Sequence, residues 1–187
     1  RIGAASAAAF DMEAGCTGFV YALATAAQFI ASGTYRYALV IGAETISTIT
    51  DWEDRNTCVL FGDGAGAAVI GPVERGFGLL GLDLGADGAG AGLLSLPAGG
   101  SASPATESTV KNKQHFIRMD GSEVFKFAVR IMGDTVLNAL ERAGLTREQI
   151  DVLVPHQANV RIVEGALKRL QLPPEKAIVN IERYGNT

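Results

Sequence analysis

Three residues of the sequence have side chains and settings suited to nucleophilic thiol chemistry: Cys16, His156 and Asn186. Cys16 lies between a predicted strand and a predicted helix, where the first turn of the helix favours a thiolate. The neighbouring Gly15 and Gly18 allow a tight turn and leave room for a substrate carbonyl. Most cysteines in apolar surroundings act only as small core side chains, so Cys16 is interpreted as a nucleophile only in combination with suitable partners.

The candidate partners are His156 and Asn186, which lie far from Cys16 in the sequence. His156 ends an apolar run and directly precedes a predicted helix, and the carboxyl end of a parallel strand is where open α/β sheets bind ligands. Asn186 would ordinarily be a turn residue, but its amide can equally donate to a developing oxyanion. Separated Cys, His and Asn residues are typical of thiol-dependent enzymes. By contrast, Cys58 is interpreted as a core residue and His115 as a surface residue.

The composition limits the class of protein. The 187 residues are 48% hydrophobic and 19% charged, with a formal net charge of −4. This balance excludes intrinsic disorder, and it offers no basic excess for binding a nucleic-acid backbone. Two cysteines exclude a disulfide framework, and together with two histidines they are too few and too scattered for a zinc site. No apolar run reaches the roughly 18 residues of a membrane span, so we expect a soluble, cytoplasmic protein.

The order of the predicted elements favours an α/β sheet. Apolar residues at helical spacing predict helices at 19–32, 121–144 and 159–170, and a capping-box pattern predicts a short one at 146–149. A long loop is expected at 85–109. Apolar or alternating runs predict strands at 8–14, 37–43, 57–61, 65–70, 77–84, 151–156 and 177–181. The glycine-rich segment 62–66 is followed by a strand rather than a helix, which argues against a dinucleotide cofactor.

Four motifs occur in the order found in one known family. They are residues 11–19 around Cys16, 61–68, 155–162 around His156, and 185–187 around Asn186. Over essentially its whole length the sequence resembles β-ketoacyl-acyl carrier protein synthase III, the family that initiates type II fatty acid synthesis. The resemblance implies a thiolase-like, five-layered αβαβα fold, of which this sequence is an incomplete segment. It places 1–84 in the first thiolase-like half, 85–120 in a connecting segment and 121–187 in the second half.

The resemblance also assigns chemical roles. Cys16 would accept a short acyl group, acetyl by first choice, from CoA as a thioester. His156 and Asn186 would bind the thioester carbonyl of malonyl-acyl carrier protein and stabilise the enolate left by decarboxylation, which attacks the acyl group to give 3-oxoacyl-acyl carrier protein. No metal or prosthetic cofactor is needed, because two neutral donors aimed at one oxygen stabilise the enolate. A thiolase would have a second catalytic cysteine, and Cys58 lies outside the required motif.

Further positions match residues of the family that contact substrates or the carrier protein. The CoA and pantetheine contacts would be Arg55, Phe125, Ala158, Asn159 and Arg161. The acyl pocket would include Ile46, Phe61 and Leu94. The cationic face for the acidic carrier protein would comprise Lys126, Arg161, Lys168 and Arg169. Judged from the residues alone, such scattered cations usually only solvate a helix face.

Two alternatives stay open beside fatty acid synthesis. A condensing enzyme of polyketide or other secondary metabolism would keep the three residues and change the acyl donor. A non-catalytic module for carrier binding or dimerisation would keep only the fold, although the intact Cys16, His156 and Asn186 argue against it. The resemblance further implies a homodimer in which residues 8–14 form an interface strand. It implies acyl carrier protein and acyl-CoA as partners, without nucleic acid or membrane.

Overall fold

The structure, a computed structural model, describes residues 2–187 as a mixture of helices and short strands. The helices are α1 (Gly18–Ala31), α2 (Glu107–Lys111), α3 (Gly121–Ala143), α4 (Val160–Leu170) and α5 (Ile181–Tyr184). The strands are β1 (Ala38–Thr45), β2 (Asp63–Ile70), β3 (Leu94–Ser95) and β4 (Arg118–Met119). Short 3-10 helices lie at Gly15–Thr17, Ile46–Ile49, Gly88–Leu93, Arg147–Gln149 and Pro174–Lys176. Within residues 2–187, no helix combines the length and the apolar character needed to cross a membrane.

The strands pair into two small sheets. β1 pairs with β2, and β3 pairs with β4 in antiparallel orientation. Two parallel bridges lie outside these strands, one between Leu153 and Ala177 and one between Phe61 and Asn186. The second bridge matters for function, because it fixes the main chain of a candidate catalytic residue.

The chain groups into two compact units. One contains residues 2–42 together with Gly66–Val73, and the other contains Ala43–Ala65 and Glu74–Thr187. These two units are groups of residues that contact one another in space. The predicted division at residues 84 and 120 instead separates the two similar halves of the thiolase-like fold, so the two divisions describe different properties. That predicted division therefore stays a prediction.

In the first unit, α1 is confirmed within one residue of its predicted bounds. The Phe29 ring, on this helix, makes edge-on contacts with Phe10 at 6.5 Å and with Tyr35 at 5.6 Å. The strand predicted at 8–14 is wrong for this structure. Residues 8–14 form no backbone ladder with any other segment of 2–187, and an apolar run without a neighbouring strand cannot form a sheet.

In the second unit, the two long helices begin and end where local signals place them. Asp120 caps α3, since its carboxylate accepts from the N–H groups of Ser122 at 3.2 Å and Glu123 at 3.1 Å. Gly144, at φ +67°, ends α3. Asn159 caps α4, because its Oδ1 accepts from the Arg161 N–H at 2.9 Å. Both predicted helices are thereby confirmed.

The core of the second unit is built on α4. Its buried residues Val163, Leu167 and Leu170 join Leu172 in one apolar cluster. The helices α3 and α4 approach closely because glycines stand at the contact: a Cβ atom at Gly165 would lie 2.9 Å from Val129 Cγ1. The packed pair forms a rigid support for the segment that precedes α4.

Four other predicted strands are wrong or reduced to single bridges. Residues 57–60 form turns instead, because the Asp54 side chain accepts from the Asn56 N–H at 3.0 Å and from the Thr57 hydroxyl at 2.9 Å. Residues 77–84 form no strand; Arg142, on α3, donates to the Leu82 carbonyl oxygen at 2.7 Å and occupies that backbone group. The segments 151–156 and 177–181 meet only through the single bridge described above.

Candidate active site

Asn186 is held by backbone hydrogen bonds to the segment just before β2. Its N–H donates to the Leu60 carbonyl oxygen at 3.1 Å, and its own carbonyl accepts from the Gly62 N–H at 2.8 Å. Gly185 precedes it with φ +69° and ψ −164°, a conformation that favours glycine. Gly62 in turn lies so close to the Tyr184 carbonyl oxygen that a Cβ atom there would collide with it. Asn186 is thereby fixed in a buried position, 8% exposed.

His156 lies in a segment that the side chain of Gln157 holds in place. The Gln157 amide donates to the carbonyl oxygens of Pro155 at 3.1 Å and Ile178 at 2.9 Å. Its Oε1 accepts from the Asn180 N–H at 2.9 Å. One side chain thus satisfies three main-chain groups that a regular strand pair would otherwise satisfy. This is how His156 keeps a defined position although its segment is not a strand.

The structure brings His156 and Asn186 together. Burial lowers the pKa of His156, and a polar interaction with the Asn186 side chain opposes this more weakly. The imidazole is therefore neutral at neutral pH. His156 Nε2 and Asn186 Oδ1 are both buried, and neither has a hydrogen-bond partner among residues 2–187. Buried polar atoms rarely lack partners, so this pair has the features of a site that completes its hydrogen bonds with a ligand.

Two neutral groups of this kind suit one chemical task in particular. A neutral imidazole can carry its proton on Nε2, and an asparagine amide offers two N–H donors. Both can donate to a single carbonyl oxygen and stabilise negative charge that develops on it. A charged imidazolium would bind the ground state as well, so the lowered pKa of His156 favours selective stabilisation of the developing charge.

Cys16 belongs to the first unit, where it lies in the 3-10 turn Gly15–Thr17 that leads directly into α1. The Thr17 hydroxyl donates to the Ala14 carbonyl oxygen at 2.8 Å and closes this turn. Cys16 is exposed and forms no disulfide. An accessible thiol at the start of a helix is the setting expected for a nucleophile, because the positive end of the helix dipole favours the thiolate.

An open cleft of about 960 Å³ lies within the second unit, and Asn186 lines it. Three of the predicted pantetheine contacts line it too: Phe125, Ala158 and Asn159. Arg55 and Arg161, from the same predicted set, are exposed side chains outside this lining. The cleft therefore combines the unpartnered Oδ1 of Asn186 with a wall that has both apolar and charged residues.

The predicted acyl-pocket residues are spread over three elements of the chain. Ile46 begins the 3-10 turn Ile46–Ile49, and Leu94 lies in β3. Phe61 forms the parallel bridge with Asn186. None of the three lines the cleft, so their role in acyl binding stays a prediction.

The four predicted carrier-binding cations differ in their surroundings. Lys126 forms an ion pair with Glu123 at 2.6 Å, and Arg169 pairs with Asp134. Arg161 and Lys168 are exposed on α4, and neither forms an ion pair with any side chain of residues 2–187. They are spaced seven residues apart, which puts them on one face of the helix.

Sequence reasoning missed several residues that line the cleft. They are Asp54, Asn56, Leu60, Gly92, Arg118, Met119, Asp120, Gly121, Ser122 and Ile162. One of these residues, Arg118, is a cation. It lies in a strand of only two residues, which is too short for a hydrophobic periodicity that could have pointed to it. A usable local signal is Asp120, a residue type that favours the first position of a helix, because the N–H groups at a helix start can bind anions.

Family models match two parts of the chain. The model described as 3-Oxoacyl-[acyl-carrier-protein (ACP)] synthase III matches residues 10–88, and the model of its C-terminal part matches residues 140–187. The chain is 63% identical over 186 residues to the Beta-ketoacyl-[acyl-carrier-protein] synthase III of Desulfitobacterium hafniense. The alignment covers 100% of this chain and 56% of that relative. The chain thus spans little more than half the length of the curated relatives it matches.

Comparison with solved structures shows similarity to enzymes of the same kind. The β-ketoacyl-[acyl carrier protein] synthase III of Thermus thermophilus superposes with a TM-score of 0.84 at 47% identity, over 95% of this chain and 54% of that one. A priming β-ketosynthase from the R1128 polyketide biosynthetic pathway superposes with a TM-score of 0.83 at 36% identity, over 99% of this chain and 55% of that one. The overall fold described above is therefore similar to that of proteins already solved.

Proposed function

Because the chain belongs to the β-ketoacyl-[acyl-carrier-protein] synthase III family, we propose that its complete gene product condenses a short acyl-CoA with malonyl-acyl carrier protein. The chain has the corresponding part of the α/β thiolase-like fold. The products would be 3-oxoacyl-acyl carrier protein, CO2 and CoA, and the reaction would initiate fatty acid synthesis. The observation that carries the proposal is the neutral, half-buried His156 beside the buried Asn186, with one buried and unpartnered polar atom on each.

The first half-reaction is acyl transfer to Cys16. The thiolate attacks the thioester carbonyl of acyl-CoA, a new C–S bond forms, and the bond to the CoA sulfur breaks. The CoA thiolate leaves and takes up a proton. The exposure of Cys16 and its position at the start of α1 support this role.

The second half-reaction forms the carbon–carbon bond. His156 and Asn186 donate to the thioester carbonyl oxygen of the malonyl group while its C–CO2 bond breaks and CO2 leaves. The electron pair of that bond becomes an enolate, held by the two donors. The enolate carbon attacks the acyl thioester, and the Cys16 thiolate leaves. Two neutral donors suffice, so the proposal includes no metal or prosthetic cofactor.

The proposal includes three further expectations. The acidic carrier protein meets the cations of α4, acetyl-CoA is the preferred acyl donor, and the enzyme is a cytoplasmic homodimer. Sedimentation of the complete gene product at micromolar concentration tests the last point, since a monomer would contradict it. Competition among acetyl-CoA and branched short acyl-CoA thioesters tests the second.

A second candidate function is the priming step of polyketide synthesis. The similarity to the priming β-ketosynthase of the R1128 pathway favours it, because the same three residues would serve with another acyl donor. Profiling acyl-CoA donors and carrier proteins separates the two candidates. Preference for a polyketide carrier protein over the fatty acid carrier would favour the second.

The decisive experiment follows the acyl group onto the protein. The complete gene product is incubated with acetyl-CoA, its mass is measured, and malonyl-acyl carrier protein is then added. We expect one acetyl group on Cys16, lost upon addition of the malonyl substrate as the 3-oxoacyl product appears. Cys16→Ser should abolish labelling, whereas the matched variant Cys58→Ser should retain it. Labelling that survives in Cys16→Ser would refute the assignment of the nucleophile.

A further inference from the structure

Arg118 is the one cationic side chain that lines the cleft of the second unit, as far as residues 2–187 are concerned. It is exposed, and its Nη2 donates to the Lys113 carbonyl oxygen at 3.2 Å. It forms no ion pair within 4.0 Å with any carboxylate of those residues. A guanidinium has five N–H donors in a planar fork, so most of them are available to a ligand.

Neither carboxylate in the lining forms an ion pair with Arg118, although the charge of Arg118 is the smallest of the influences that lower the pKa of Asp54. Asp120 is occupied at the start of α3, where it accepts from two backbone N–H groups. Asp54 is occupied by Asn56 and Thr57, and these hydrogen bonds lower the pKa of Asp54, the Asn56 backbone N–H most of all. Both carboxylates form hydrogen bonds to neighbouring residues of the chain. The guanidinium of Arg118 therefore stays available to bind an anionic ligand in the cleft.

Arg118 is also held in place. The Lys113 carbonyl that accepts from it belongs to a residue whose Nζ pairs with the buried Asp51 at 3.1 Å and also with Glu53. One residue before Arg118, the Ile117 N–H donates to the Ile49 carbonyl oxygen at 2.9 Å. The guanidinium therefore stands on a braced segment, which reduces the entropy lost when it binds a ligand.

The rest of the lining indicates the shape of that ligand. Phe125, Ala158 and Ile162 give the cleft an uncharged wall, and Asn186 contributes its unpartnered Oδ1. A ligand that fits has a thioester whose carbonyl oxygen accepts from the Asn186 amide N–H group, an uncharged arm and an anionic group. We propose that Arg118 binds the phosphate of a phosphopantetheine thioester, and this rests on the function proposed above. CoA and the carrier protein both contain that arm, so the shared group is the phosphate next to pantetheine.

The test compares thioesters with and without the phosphate, using the complete gene product. Arg118→Gln removes the charge, and Arg118→Lys restores it without the planar fork. Arg75→Gln serves as the matched control, because Arg75 is exposed and lies outside the cleft lining. We expect Arg118→Gln to raise the KM for acyl-CoA on the order of tenfold, to change kcat little, and to leave kcat/KM for acetyl-pantetheine unchanged. The lysine variant should be intermediate.

The two sources of the phosphate are separated by measuring each half-reaction. If only the KM for acyl-CoA rises, Arg118 binds the phosphate of the acyl donor. If only the KM for malonyl-acyl carrier protein rises, Arg118 binds the phosphate of the carrier protein. If both KM values rise, Arg118 binds the phosphate in both substrates. Equal losses with acyl-CoA and acetyl-pantetheine would overturn the inference, as would unchanged KM values for both phosphate-bearing substrates.

A calorimetric titration with CoA, 4′-phosphopantetheine and pantetheine separates this inference from the proposed function. If 4′-phosphopantetheine binds more tightly than pantetheine and loses this advantage in Arg118→Gln, Arg118 binds the phosphate whether or not the protein catalyses condensation. If the two ligands bind equally, the inference fails while acyl transfer to Cys16 can still be observed.

Discussion

The main chains of Phe61 and Asn186 form a parallel bridge, so a residue expected to contact the acyl group and an expected oxyanion donor share one backbone register. The bridge depends on the close approach of Gly62 to the Tyr184 carbonyl oxygen. The position of the Asn186 amide is therefore set by residues more than a hundred positions away in the sequence. Changes in that distant segment should act on the second half-reaction.

Gly62→Ala should displace Asn186, because the new methyl group would collide with the Tyr184 carbonyl oxygen. We expect malonyl decarboxylation to fall at least tenfold while acylation of Cys16 continues, and the melting temperature to drop. The matched control is Gly66→Ala, where a Cβ atom meets nothing within 4 Å. Decarboxylation at the wild-type rate in Gly62→Ala would show that the bridge does not position the amide.

Asn186→Ala and His156→Ala should separate the two half-reactions. Each removes one donor to the developing oxyanion, so decarboxylation should fall by roughly 10²–10³. Acylation of Cys16 with acetyl-CoA, followed by mass spectrometry, should survive in part. Asn112→Ala, at the exposed residue that directly follows α2, is the control. Equal loss of both half-reactions would contradict the assigned roles.

The stability of the protein should depend on the protonation of His156. Burial lowers its pKa in the folded protein, whereas the unfolded chain titrates near pH 6.5. The unfolded state therefore binds the proton more tightly than the folded state. The contribution of the neutral imidazole to the free energy of unfolding is complete above about pH 6.5 and is lost as the pH falls through the lowered pKa of the folded protein. Urea unfolding between pH 8 and pH 5 should show a decline in the wild type that is smaller in His156→Gln. Parallel curves for the two proteins would contradict this.

The cations of α3 and α4 should divide into two classes. Arg161→Ala and Lys168→Ala should raise the KM for malonyl-acyl carrier protein, with an effect that shrinks at high salt, because these side chains are exposed and lack ion-pair partners within residues 2–187. Arg169→Ala should mainly lower the melting temperature, since its guanidinium pairs with Asp134 and its methylene groups cover Gly133. A carrier-protein KM that changes only in Arg169→Ala would reverse this division.

The helices could be predicted from the sequence because their signals are local. Asp120 and Gly144 mark the ends of α3, and Asn159 marks the start of α4, within segments of clear helical spacing. Strands depend on partners that are distant in sequence. The apolar run 57–61 has the composition of a strand. It forms turns over 57–60 instead, because the carboxylate of Asp54 accepts a hydrogen bond from the Thr57 hydroxyl. The runs at 151–156 and 177–181 have just one residue each in a bridge.

The candidate site was predictable to a similar extent. Residue type, position and the family motifs pointed to Cys16, His156 and Asn186, and the structure brings His156 and Asn186 together, while their catalytic roles stay predictions. Arg118 was not predictable, since its importance comes from the cleft around it and from the neighbouring carboxylates being occupied elsewhere. The separation of Arg169 from Arg161 likewise needs the ion pair with Asp134. Charge alone, read from a sequence, does not show which cations are already neutralised.

The three hydrogen bonds of Gln157 have a consequence for exchange with solvent. The Asn180 amide donates to Gln157 Oε1 at 2.9 Å, so its proton can exchange with deuterium only when this hydrogen bond opens. The hydrogen bonds from the same Gln157 side chain to the carbonyl oxygens of Pro155 and Ile178 hold the acceptor in place and oppose that opening. The Asn180 amide should therefore stay protonated long after the exposed amides of α2 have exchanged. In Gln157→Glu the donor to both carbonyl groups is lost, and the same amide should exchange at the rate of an open loop.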